Sequence, residues 1–118
     1  ITLQGEIVGT AFYTSPDQIL LGAAKVDARS DIFSLGVMLY EVLTGNRPFS
    51  ASKRTELYTQ IMHRAPDRPI DVNPKISIEL NDVCLRALHK ERRSRHQSAR
   101  ELLEELQAAR AAPTRAGG

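Results

Sequence analysis

Hydroxyl and aromatic side chains crowd one early stretch of the chain, Gly9-Thr10-Ala11-Phe12-Tyr13-Thr14-Ser15-Pro16-Asp17-Gln18. Thr10 follows a glycine and precedes an aromatic pair, a setting in which a rigid turn can hold its hydroxyl so that it bonds outward. A hydroxyl in such a turn can equally satisfy its own loop, and Phe12 and Tyr13 can line a pocket or fill a core. Further on, Lys90, Arg92, Arg93 and Arg95 crowd one short segment, a pattern chemically suited to phosphate. It lies between two helical patterns, so a solvated turn is the simpler expectation, and no nucleic-acid partner is assigned. His63, His89 and His96 share no helical face and have no cysteine or carboxylate at ligand spacing. They read as surface histidines, and no metal site is expected. Asp31 heads an apolar stretch, where a carboxylate is favoured by the positive end of a helix.

Groups like these need a scaffold, and composition bounds what it can be. The 118 residues are 42% hydrophobic and 25% charged, ordinary for one globular domain with one core. A net charge of +2 gives the whole chain no strong field toward nucleic acid or anionic membrane. Cys84 is the single cysteine, which excludes an internal disulfide and fits a reducing compartment, so a cytoplasmic location is expected. No apolar run approaches the roughly 20 residues that cross a bilayer, and no membrane contact or signal peptide is expected.

Hydrophobic periodicity points to an all-α fold. Residues 1–22 show no sustained period and carry Gly5, Gly9, Pro16 and Gly22, which reads as an ordered loop with a short helix after Pro16. From Asp31 to Leu43 the chain is apolar almost all round, so a central helix buried on nearly every side is expected, capped at its start by Ser30 or Asp27. Gly45 supplies the left-handed residue that ends it, and Pro48 blocks a restart. Lys53 to His63 carries a narrower stripe of Leu57, Tyr58, Ile61 and Met62, a surface helix. Pro66, Pro69 and Pro74 enforce an extended stretch. Leu80, Val83, Cys84, Ala87 and Leu88 then follow with one-face helical spacing. Ser98 and Glu101 have capping-box spacing and open a last helix that ends near Gln107, with 108–118 as a flexible tail or linker.

The Gly9 to Gln18 stretch, followed by Asp27-Ala28-Arg29-Ser30-Asp31-Ile32-Phe33-Ser34-Leu35-Gly36 and Leu43-Thr44-Gly45-Asn46-Arg47-Pro48-Phe49, resembles the serine/threonine protein kinases, bacterial receptor-type kinases most of all. The resemblance covers the end of the activation segment and the helices after it, and implies a partial kinase large lobe over residues 1–107. By that resemblance Thr10 bonds the aspartate and lysine of a catalytic loop, while Phe12, Tyr13, Thr14 and Ser15 line the pocket for the residue after the phosphoacceptor. Pro16-Asp17 stands where the family has Ala-Pro-Glu or Ser-Pro-Glu, and Arg95 matches the arginine that pairs with that glutamate. Aspartate is one methylene shorter, so the implied bridge is strained, water-mediated or loosened. Asp31, with Ser30, Ser34 and Gly36 matching around it, would accept amide hydrogen bonds from the catalytic loop. Thr2 stands eight positions before Thr10, where such kinases carry a phosphorylated threonine.

No glycine-rich phosphate loop, strand lysine, His-Arg-Asp or Asp-Phe-Gly occurs in the sequence, so no catalytic residue is assigned. ATP and magnesium are expected for a complete kinase, not for this chain. The expected partners are a protein substrate with a serine or threonine acceptor and the N-terminal half of a kinase domain. The leading expectation is therefore the substrate-docking and scaffold half of such an enzyme, inactive alone. A second is a non-catalytic, pseudokinase-like interaction module that docks through the Leu57–Met62 face, and a third is a small nucleic-acid binder using Lys90–Arg95. If the covering elements of the central helix lie elsewhere, some of its apolar surface should stay exposed.

Overall fold

The computed structural model describes residues 9–111, and of Ala23 the backbone alone. Along them run six α-helices: α1 (Pro16–Leu21), α2 (Ala28–Thr44), α3 (Arg54–His63), α4 (Pro69–Val72), α5 (Ile78–Ala87) and α6 (Ala99–Ala111). Single 3-10 turns occupy Gly9–Tyr13, Ala23–Lys25 and Arg92–Ser94, and no strand occurs among the described residues. The architecture is all-α. None of the described helices is long and apolar enough to cross a membrane. Thr2 lies outside the described residues.

Local chemistry explains most helix ends. Ser15 accepts from the Gln18 amide at 3.1 Å while the Gln18 side chain accepts from the Ser15 amide at 2.8 Å, a reciprocal cap with Pro16 at the first helical position. Asp27, not Ser30, caps α2, accepting from the Arg29 amide at 2.9 Å. Gly45 ends α2 at φ 75°, a left-handed conformation that costs glycine nothing, and its N–H reaches the Glu41 carbonyl at 2.8 Å. Ser77 caps α5 through the Leu80 amide, and Ser98 accepts from the Glu101 amide at the start of α6. The return bond of that last box goes elsewhere, since the Glu101 carboxylate accepts from the Gln97 amide.

Three expectations about elements change. The proline-rich stretch is not wholly extended: Pro69 opens the single turn of α4, where its missing N–H leaves no intrahelical bond unmade. The last helix runs past Gln107 to Ala111, and Ala109 is buried against the core. Most consequential is α2, which is buried along one broad stripe of Ile32, Phe33, Val37 and Tyr40 but not on its other side. Leu35 is 39% exposed, Met38 48% and Val42 81%, so an apolar face stays bare.

The core has two lobes that meet across α2. On one side Phe33 and Phe49 stack at 6.1 Å between ring centroids, with Leu57 and Ile61 of α3 fully enclosed beside them. The apolar stripe of α3 therefore faces inward and is not a free docking face. On the other side Ile32, Val83 and Ala87 of α5, and Leu102 and Ala109 of α6 make up a second buried cluster. Gly36 lets α2 and α5 touch: a Cβ there would meet Ala87 Cβ at 2.8 Å and Leu88 Cδ2 at 3.2 Å. Its value is the space it leaves for α5.

Candidate functional site

Residues at the two ends of the sequence come together where α1 meets the start of α2. Arg95 and Asp17 lie 78 positions apart, yet the Arg95 Nη2 donates to Asp17 Oδ1 at 2.7 Å, with Arg95 fully buried and Asp17 6% exposed. Ser30 donates its hydroxyl to the other carboxylate oxygen. The remaining guanidinium donors go to backbone carbonyls, Nε to His89 at 2.7 Å and Nη1 to Arg29 at 2.8 Å, and the guanidinium carbon stands 5.1 Å from the Phe33 ring centroid. One arginine thus ties α1, the first turn of α2 and the segment after α5. Burial pushes the Asp17 carboxyl up, but the hydrogen bonds from Arg95 and Ser30 and the guanidinium charge outweigh it and hold it below the usual carboxylate range. Contact is direct, so the shorter side chain needs no bridging water. Ser30 supplies a second anchor for that carboxylate.

The turn that α1 carries rests on α2. Ser34 donates to the Tyr13 carbonyl at 2.6 Å, fixing the Gly9–Tyr13 turn to the central helix. Within it Phe12 is buried under the Arg47 guanidinium, 3.7 Å above its ring, and Ala11 is buried beside it. Thr10 is exposed at the tip of the same turn. Tyr13 is half-buried, and the Glu41 carboxylate beside its phenol raises that group above its ordinary value, with burial adding to the rise and Arg47 opposing it. Ser15 is fully enclosed, with its hydroxyl on the α1 cap. Asp31 sits in the first turn of α2 with its side chain exposed.

The basic segment is not the solvated turn expected of it. Arg93 is exposed, but Arg95 is enclosed and Lys90 lies 4.1 Å over the Phe49 ring. Arg92 turns back toward Asp27 at 3.4 Å. Lys90, Arg92 and Arg95 face the protein and Arg93 does not, so the four do not form one phosphate-binding patch. His96 departs furthest from expectation. It is fully buried, its Nε2 3.2 Å from Glu105 Oε1, in a cluster where Arg86 pairs with both Glu101 and Glu105. His63 and His89 are exposed. No local pattern around His96 signals burial, because its cover arrives from α6 and α5.

A protein kinase domain family model matches residues 3–106. The chain belongs to the protein kinase family. Among curated relatives of this kinase segment are a probable serine/threonine-protein kinase of Clostridium acetobutylicum, 38% identical over 106 residues, and the serine/threonine-protein kinase PknB of Mycobacterium leprae, 39% identical over 106. A probable serine/threonine-protein kinase of Streptomyces coelicolor is 36% identical over 108 residues. These alignments cover 90% to 92% of this chain but only 16% to 17% of each relative, so the chain spans about a sixth of the length of the proteins it matches. The described residues gather no carboxylate set of the kind that holds magnesium-bound ATP. Among the described residues no three His, Cys, Asp or Glu side chains gather at metal-binding spacing, and Asp17, Asp27 and Glu101 are each held by guanidinium groups.

Proposed function

We propose that this chain is the substrate-docking and scaffold half of an ATP-dependent serine/threonine protein kinase, and that it transfers no phosphate by itself. The observation that supports this most is the buried Asp17–Arg95 pair, which fastens the Thr10 turn to the helices that follow. A substrate platform needs that rigidity, because transfer between a nucleotide and a hydroxyl depends on positioning. In this reading Thr10 bonds the catalytic loop of the N-terminal half, Phe12 and Tyr13 shape the pocket after the phosphoacceptor, and Asp31 receives amides from that loop. Ser15 supports the pocket from behind by holding α1. Thr2 is the phosphorylated threonine in this reading. The bare side of α2 meets the N-terminal half, ATP and magnesium bind there, and the assembled domain works in the cytoplasm.

Two measurements test the reading. The purified 118-residue chain, incubated with magnesium, labelled ATP and casein, is expected to bind no nucleotide and transfer no label; incorporation above a no-protein control refutes the claim of inactivity. Residues 3–106, grafted in place of the matching segment of the Mycobacterium leprae kinase PknB, are expected to leave an active kinase whose activity falls on Thr10→Ala. A graft that folds but is inactive, or that ignores Thr10→Ala, refutes the docking role.

A further inference from the structure

A cavity of about 290 Å³ opens where the end of α3, the Ala65–Pro66 segment and the end of α5 meet. Pro66, Leu85 and Leu88 form apolar wall, His63, His89 and Lys90 also line it, and none of its lining residues is acidic. Its size lies near the lower end of the roughly 300 to 1,000 Å³ usual for small-molecule sites.

Lys90 is the informative member. Its side chain is half-buried, with Nζ 4.1 Å from the Phe49 ring centroid and 3.4 Å from the Gln60 carbonyl. An ammonium has three donors, and a ring face and one long carbonyl contact engage two of them weakly. No acid pairs with Lys90 among the described residues. The nearest acid in sequence, Glu91, is exposed and reaches Arg93 at 3.7 Å. Burial and the neighbouring Arg95 charge push the lysine down to about 8, as expected of a cation lacking a counter-ion. His89 Nδ1 accepts from the Glu91 amide at 3.0 Å, which makes its Nε2 the proton-bearing nitrogen. One cation without an acid, Lys90, and the N–H of His89 therefore stand beside an apolar wall.

We propose that this cavity binds a small carboxylate with a short apolar tail, of the medium-chain fatty-acid type, its head against Lys90 and its tail along Leu85 and Leu88. The head supplies the missing negative charge, and the tail removes apolar wall from water. A cation of the same shape meets the Lys90 charge unscreened by any acid, and a bare anion leaves the wall wet. This site is independent of the kinase reading.

The probe is octanoate, titrated into the ¹⁵N-labelled 118-residue chain and followed by amide shifts, with octylamine and acetate as controls. Saturable shifts at His63, Leu85 and His89 are expected, with octanoate at least ten-fold tighter than either control. Lys90→Met should weaken octanoate at least ten-fold while the rest of the spectrum stays native. Lys90→Gln gives the same reading if the methionine variant does not fold. Leu85→Gln should weaken octanoate too. Octylamine binding as tightly as octanoate, undiminished binding by a folded Lys90 variant, or shifts confined to the bare side of α2 would each overturn the proposal.

Discussion

Arg95 has no contact with solvent, and every direction of its guanidinium is occupied: Asp17, the carbonyls of Arg29, His89 and Lys90, and the Phe33 ring. Removing it is expected to cost far more than a surface pair would, because Asp17 stays buried with only Ser30 to satisfy it. Arg95→Met should destabilise the chain by about 3–5 kcal/mol in urea unfolding at pH 7. The pH dependence has a definite sign. Asp17 is held below its ordinary value in the folded state, so its contribution is full at neutral pH and is lost as pH falls through that lowered value. The gap between wild type and Arg95→Met should therefore narrow from pH 7 to pH 3. A gap that is constant or widens would show that the pair is not what the substitution removes. The tether itself was readable only through family likeness, since nothing in local spacing links positions 78 apart. Ser30 as second donor to Asp17 was not legible at all, because serine before an apolar run looks like a helix cap.

Among the elements, those with strong periodicity or clear stop signals were legible, and those set by long-range cover were not. The Leu80 to Leu88 spacing gives α5, and Gly45 gives the end of α2, because each rests on a rule that operates within a few residues. The α1 cap has the same local character, Ser15 with Gln18 three residues on, but the mixture of glycine, proline and hydroxyls hid it, and only the short helix after Pro16 was legible. His96 lies beyond any such rule: its enclosure depends on α6 folding back with Glu105. Gly36 shows how one position couples two elements. Gly36→Ala should gain about 1 kcal/mol of helix propensity but lose about 1–3 kcal/mol by forcing α2 and α5 apart at Ala87. The expected net result is a lower thermal midpoint by calorimetry. An unchanged or higher midpoint would mean that the close approach is not a constraint.

At the scale of the whole molecule, two packed lobes coexist with an uncovered apolar surface. Leu35, Leu39, Leu103 and Leu106 line a groove between α2 and α6, and Met38 and Val42 continue the exposure along α2. A bare area of this kind promotes association in an isolated chain. Val42→Lys together with Leu103→Glu is expected to leave urea stability within about 1 kcal/mol, since both residues are already exposed. Sedimentation velocity should show less self-association for the double variant than for wild type, and equal association would assign the contact to another surface. The far end of α6 bears on how such samples are made. Ala109 is sealed against the Ile32 lobe beyond Gln107, so an expression boundary drawn at the last leucine would shave off a plug and yield a leakier, more protease-sensitive product than one ending after Ala111.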